Sequence, residues 1–368
     1  MRKKNRLLLL VLFSVLILIF AGCSDDDDDN GVDPEAQGGW HTLWSGANYP
    51  IEELCMYNNY LIAGGSFDTI GEIPIHYIAQ WSGNGWGSLT SGINNAPSCM
   101  TIFNNKLVVG GWQTTAGGAA TSHVSLWDGA NWSAAGTGTN GAVWAACVYD
   151  NKLIVGGQFN SAGGLAAGNI AAWDGTSWST LGSGLNAQVH SLIVYDGKLI
   201  AGGWFSSAGG TTANYIAQWN GSTWSPLGSG MGGSLSNMGV YALAVYNDQL
   251  IAGGRFTTAG GVTVNHIAAW NRSSWSALGT GTDAAVLSLT THGTKLIAGG
   301  EFVQATGVTV NRIAAWNGTN WAEMGGGVRS GYTPGVWALA SDGTNLYVGG
   351  MFDSAGTVEC NNIVRWTD

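Results

Sequence analysis

Charge is what this sequence has least of. Charged residues make up 10% of its 368 positions, and only 13 are Lys or Arg. Four of those, Arg2, Lys3, Lys4 and Arg6, stand within the first six residues, so the rest of the chain sets 9 basic side chains against 23 acidic ones. Binding to a phosphate backbone depends on clustered Lys and Arg that release condensed counterions. No such cluster exists, and no nucleic-acid partner is expected. Scarce charge with 45% hydrophobic residues argues against disorder beyond local segments. Long amphipathic helices are excluded too, because 59 glycines in 368 residues would break them.

What is present begins with an address. Residues 1–23 read as a basic segment, an apolar run from Leu7 to Phe20, and Ala21-Gly22-Cys23. A run of that length between charges and small residues is a secretory signal rather than a lasting membrane span. Phe20-Ala21-Gly22-Cys23 resembles a bacterial lipobox, with Phe where Leu or Ile is usual. The resemblance implies that 1–22 is a lipoprotein signal peptide and that Cys23 is acylated as the mature N-terminus. Each buried CH₂ of an acyl chain contributes about 0.8 kcal/mol, so several chains anchor durably. Ser24 and the run Asp25 to Asp29 follow, and adjacent carboxylates repel, which predicts an acidic flexible tether over 23–39. The Cys-Ser-Asp-Asp start also resembles the export signal of surface lipoproteins in Bacteroidetes-like bacteria. It implies an outer-membrane lipoprotein of the bacterial cell envelope, exposed at the surface and held to the membrane by its anchor.

The remainder is repetitive. Gly-Gly doublets begin at Gly64, Gly110, Gly156, Gly202, Gly253, Gly299 and Gly349, and a Trp follows each first Gly by 17 residues, from Trp81 to Trp366. Five residues beyond the first six of these stands a second Trp: Trp86, Trp132, Trp178, Trp224, Trp275 and Trp321. The seventh copy of this second Trp is supplied from the other end, since Trp40 precedes Gly64 by 24 residues, the same gap as Trp86 to Gly110. This is a ring cut inside one repeat. Each repeat of about 46 residues predicts four short strands: one like Val240 to Tyr246, a two-residue turn such as Asn58-Asn59, a Leu-Ile-Ala-Gly-Gly strand, an Ile-Ala-Ala-Trp strand, and a fourth opened by Trp. Clean polar–apolar alternation is missing, as expected where sheets pack on both faces. Seven such units predict an all-β, seven-bladed β-propeller of four-stranded antiparallel blades over 40–368, the N-terminal strand completing the last blade and closing the ring without a free edge.

Gly-Gly ending the second strand, an aromatic in the third and Trp opening the fourth resemble kelch repeats, with Trp where kelch usually has Tyr and a shorter aromatic-to-Trp spacing. The repeats are also similar to the propeller repeats of fungal cortical polarity proteins. Propellers serve many unrelated functions, so the resemblance implies architecture and not a ligand. Cys55, Cys99, Cys147 and Cys360 are expected to be small core residues, because inner strands of different blades hold Cα atoms too far apart for a bridge.

Fourteen of the 19 Trp occupy the two repeated positions, leaving Trp44, Trp112, Trp144, Trp204 and Trp337. Strand direction places the starts of first strands, the ends of second strands and both length insertions (Met231 to Gly239, Val328 to Gly335) on one face. All five odd Trp are expected on that rim. Ligand-binding candidates there are Trp112, Trp144, Trp204, Trp337, Tyr241, Arg255, Glu301, His190 and Glu52. Exposed indole and phenol rings offer flat apolar faces for sugar rings or peptide side chains, while Arg, Glu and His orient polar groups. The expectation is a binding module for glycan or surface protein, with no cofactor or metal. The alternatives are a polysaccharide-active hydrolase, lyase or oxidase on the same face, using Glu52, Glu301 or a rim His, and an architectural surface protein without a small ligand.

Overall fold

The structure, a computed structural model, describes residues 38–331 and 334–368. The expected signal peptide 1–22, the lipidation site Cys23 and the tether up to residue 37 lie outside the described residues. Among the described residues there is no helix long and apolar enough to cross a membrane.

Seven four-stranded antiparallel sheets make up the scaffold among the described residues. Six are built from strands in chain order, five of them with a short separate hairpin between the second and third strands. The third repeat shows the plan, with Val143–Tyr149, Lys152–Gly157, Ile170–Trp173 and Trp178–Thr180 laid side by side in chain order. The seventh sheet takes Gly335–Ser341, Asn345–Met351 and Ile363–Thr367 from one end of the sequence and Gly39–Thr42 from the other, pairing Gly39 with Thr367 and Trp40 with Trp366. The first strands of successive repeats pack on one another, and that of the seventh repeat packs on that of the first.

The Gly-Gly doublets are explained by how closely neighbouring repeats approach. A methyl group on Gly110, Gly156, Gly202 or Gly253 would lie 2.5–2.7 Å from Val143, Val189, Val240 or Val286 of the next repeat. One on Gly349 would lie 2.5 Å from Ile51 of the first repeat. The first–second strand turns Asn58-Asn59, Asp150-Asn151 and Asp196-Gly197 all have positive φ at both residues, the conformation that matches strand twist in two-residue hairpins.

The fourteen repeated Trp hold the seams. Within each sheet the two Trp rings face each other at 4.9–5.3 Å between centroids. Each fourth-strand indole then donates its N–H to a backbone carbonyl in the loop entering its own repeat: Trp86 to Leu43 at 3.3 Å, Trp178 to Ala135 at 2.9 Å, Trp224 to Leu181 at 2.9 Å, Trp321 to Leu278 at 3.1 Å. Trp40 does the same to Met324, at 3.2 Å. Each indole thus buries a large apolar surface, roughly 4–6 kcal/mol gross before entropy is subtracted, while satisfying its one polar atom. The core between sheets is completed by Phe67, Phe205, Phe256 and Phe302, all fully buried. The second repeat has Gln113 at the matching place, also fully buried, with Nε2 donating to the carbonyls of Val109 and His123 and Oε1 left without a partner.

The four described cysteines are free thiols: Cys99 and Cys360 are buried, Cys55 and Cys147 half-buried. Burial pushes the thiols of Cys55, Cys147 and Cys360 up to about 12 and that of Cys99 upward as well, which leaves them unreactive.

Candidate functional site

The site begins with a break in register. In every repeat the pairing of first and second strands skips one residue, and the skipped residues are Glu52, Ser98, Trp144, His190, Tyr241, Leu287 and Trp337. A bulge leaves its extra residue out of the ladder and re-aims its side chain. Here it turns a highly variable position of each repeat toward a common centre. Six of the seven, all but Glu52, line a cavity of about 370 Å³. Beneath it a second cavity of about 270 Å³ runs between the first strands and adds Glu53, Cys99 and Met100 to its walls.

Along one side of this mouth the aromatic rings form a continuous wall. Trp112 lies 6.4 Å from Trp144, which stacks on His190 at 4.9 Å and 24°. His190 in turn touches Trp204 at 5.0 Å and Tyr241 at 5.4 Å. The Trp204 indole donates to the Tyr241 hydroxyl at 3.1 Å, and that hydroxyl donates to the carbonyl of Asn237 at 2.7 Å. Glycines in the two insertions make room: a Cβ on Gly239 would strike Trp204, and one on Gly335 would lie 2.7 Å from the Trp337 indole nitrogen. Trp112 is 52% exposed and Trp204 36%, while Trp144, Tyr241 and Trp337 are half-buried. The wall therefore presents ring faces to solvent without burying them in the core.

Beyond Tyr241 the wall turns polar. Arg255 and Glu301 occupy the same place in neighbouring repeats, just after Gly-Gly, and form an ion pair at 2.6 Å. Both are well exposed, so the pair adds little stability and holds two hydrogen-bonding heads in a defined place. In the first repeat, separated from that of Glu301 only by the seventh, Glu52 accepts a hydrogen bond from the Ser66 hydroxyl. Burial raises the Glu52 carboxyl and outweighs that bond. Glu52 and Glu301 each have their own partner, Ser66 and Arg255.

Burial also sets the protonation of the central groups. His190 is pushed down to about 4, so it is a neutral imidazole at ordinary pH, and its Nε2 is buried without a hydrogen-bond partner. His123 and His266, at the starts of third strands, are lowered by burial as well. Sequence reasoning missed Glu53. It lines the deeper cavity, where burial pushes its carboxyl up to about 8 against a backbone hydrogen bond from Met100. Its adjacency to Glu52 was the available signal, but strand alternation points it elsewhere and only the bulge brings both to the channel.

Trp44 departs from expectation. It does not line the mouth with the other four odd Trp. It packs edge-on against Trp81 at 6.0 Å between centroids, beside Gly71 and Gly85, and is 50% exposed. The reason is its place in the loop after the fourth strand, at left-handed φ of 56°, which turns the side chain back over the seam. Among the described residues no group of three or more His, Cys, Asp or Glu side chains is placed to hold a metal ion.

Comparisons with known proteins agree with this geometry at the level of fold. A family profile described as a domain of unknown function (DUF5122) beta-propeller matches residues 196–221, from the first hairpin turn of the fourth repeat to the turn before its fourth strand. No curated protein matches. Among solved structures, the extracellular domain of a one component system from B. thetaiotaomicron is similar over 89% of this chain, with a TM-score of 0.59 and 13% identity. The chain spans only 39% of that domain. The computationally designed Ika8 protein is similar over 90% of this chain and 100% of its own, with a TM-score of 0.54 and 15% identity. The WD40 beta propeller domain of Doa1 gives 0.55 at 13% identity, covering 90% of this chain and 97% of that one. The protein is an all-β molecule of antiparallel four-stranded sheets with a β-propeller fold.

Proposed function

We propose that this protein is a lipid-anchored, extracytoplasmic, seven-bladed kelch-like propeller, closed by the strand Gly39–Thr42, that recognises a glycan at the bulge-lined mouth. The observation that carries the reading is the five-ring wall from Trp112 through Trp144, His190 and Trp204 to Tyr241, ending at the Arg255–Glu301 pair. Sugar rings have one apolar face and a polar edge. A flat aromatic surface takes the face, and charged heads at its end take the hydroxyls. A cavity of about 370 Å³ suits one or two sugar rings. Anchoring at Cys23 and export to the outer-membrane surface rest on the lipobox-like tetrad and acidic start, and would set the mouth where extracellular glycans or surface proteins are met. That Glu52 and Glu301 are each engaged by a different partner, Ser66 and Arg255, favours binding over hydrolysis.

The test is a glycan and surface-protein array probed with the purified protein, followed by titration of Trp144→Ala and Trp204→Ala. Loss of a bound glycan with melting unchanged supports recognition at the mouth. Retained binding in both variants refutes it, and turnover of a saccharide abolished by Glu301→Gln would make the protein an enzyme.

A further inference from the structure

A second groove, away from the mouth, lies against the sheet that joins the two ends of the sequence. It has a volume of about 460 Å³, and its walls include Trp40, Trp366, Gly39, Gly325, Gly356 and Arg329. The repeat makes it possible to ask what this groove fits. In the first repeat the same place is filled by Trp44, which packs on Trp81 and lies beside Gly85 and Gly71, the latter also bordered by Trp86. By repeat position those four correspond to Trp366, Gly39, Gly356 and Trp40, and Trp44 itself corresponds to Gly325. A Cβ on Gly85 would lie 3.2 Å from the Trp44 ring, whereas a Cβ on Gly39 would meet no described residue within 4 Å. Among the described residues the space beside Gly39 is open where an indole ring fills it beside Gly85, although at Gly325 itself the Trp366 ring lies close to where a Cβ would go.

The other five repeats do not offer it. Before the fourth-strand Trp they carry Asn131, Ser177, Thr223, Ser274 and Asn320, side chains where the first and seventh repeats have Gly85 and Gly39. The seventh repeat alone has glycine at all three positions that frame the groove, Gly325, Gly356 and Gly39. One charge distinguishes it further. Arg329, in the insertion, is exposed and forms no ion pair with any described residue, in a chain whose formal net charge is −10.

We propose that this groove is a docking site for an aromatic side chain, indole by preference, carried on an acidic segment of a partner protein. The ring takes the place against Trp366 that Trp44 takes against Trp81, and Arg329 pairs with a neighbouring carboxylate. The molecule's own Trp44 is the precedent for the ring, and the unpaired guanidinium selects the charge beside it. This site is independent of the glycan reading of the mouth.

The test uses the full chain with the peptide acetyl-Asp-Trp-Asp-amide, its Trp-to-Ala counterpart and methyl glucoside, followed by calorimetry and ligand-observed saturation-transfer NMR. The Trp peptide is expected to bind, and the Ala peptide at least about tenfold more weakly, the usual effect of removing an anchoring aromatic. Gly325→Trp, which copies the Trp44 arrangement into the groove, is expected to abolish binding. Because a Cβ there would lie 2.6 Å from the Trp366 ring, Arg329→Gln is the second variant, expected to remove the preference for the acidic peptide over acetyl-Trp-amide. Binding should persist in Trp144→Ala, whose change is at the mouth. Equal binding of the Ala peptide, displacement of methyl glucoside by the Trp peptide, an unchanged acidic preference in Arg329→Gln, or loss in Trp144→Ala would each overturn the proposal.

Discussion

The seams between sheets and the mouth at their centre use the same residue, Trp, to opposite ends. At a seam the indole is buried, its N–H is spent on a carbonyl of the adjoining loop, and the arrangement recurs in every sheet. At the mouth the indoles sit on bulge positions or just after Gly-Gly, partly exposed, and no two repeats present the same set. Constancy marks what the fold needs. Variation on an otherwise periodic frame marks what the fold leaves open for recognition.

The sharpest way to break the comparison is to truncate one Trp of each kind. Trp224→Ala removes a buried ring and one of the two hydrogen bonds to the Leu181 carbonyl, and should cost about 3–5 kcal/mol in denaturant unfolding. Trp112→Ala should stay within about 0.5 kcal/mol, as for an exposed side chain. Equal losses would mean that the mouth is packed core. Next in size, Gly202→Ala drives a methyl to 2.6 Å from Val240 across a seam and should cost about 1–3 kcal/mol by overpacking, read from the same unfolding curves.

Acidity probes the channel. Burial raises Glu53 from 4.5 to about 8, so the folded protein keeps a proton that the unfolded chain releases, and stability falls as pH rises through that window. His190, lowered from 6.5 to about 4, acts in the opposite sense, adding stability as pH rises from 4 to 6.5. His123 and His266 share its sign. Below pH 6.5 these effects oppose one another. Glu52, also raised by burial, shares the sign of Glu53, and from 6.5 to 8 Glu53 sets the direction. Unfolding free energy should decline there by up to about 1.4 kcal/mol per pH unit, and Glu53→Gln should flatten the decline. The smallest effect concerns the core of the second repeat. Gln113→Phe would install the side chain found there in the other six repeats and remove an unpartnered Oε1. A gain of roughly 1 kcal/mol is expected in thermal melting.

Much of the scaffold was legible because it is periodic. The 17-residue and five-residue spacings from Gly-Gly to the paired Trp identify the strands, and the displaced Trp40 announces the pairing of Gly39–Thr42 with Ile363–Thr367. The candidate mouth was legible only as a list of residues. That Trp144, His190 and Tyr241 meet depends on a register break that leaves no mark on polarity alternation, since both neighbours of each of these three are apolar or small. Glu53 was hidden for the same reason. Trp44 was misplaced because it was sorted by residue type, whereas its counterparts Thr90, Gly136 and Gly182, all at positive φ, show that the position is a turn over the seam.

The pairing of Gly39 with Thr367 has a consequence for biosynthesis. A strand made near the beginning must wait, unpartnered, while more than three hundred further residues leave the ribosome, and only then does its mate arrive. The six sheets built from neighbouring segments can assemble in order of translation, each supported by the one before. The last is a latch that cannot engage until Ile363–Thr367 has been made, so a nascent chain halted anywhere before Ile363 leaves the strand Gly39–Thr42 with an open edge.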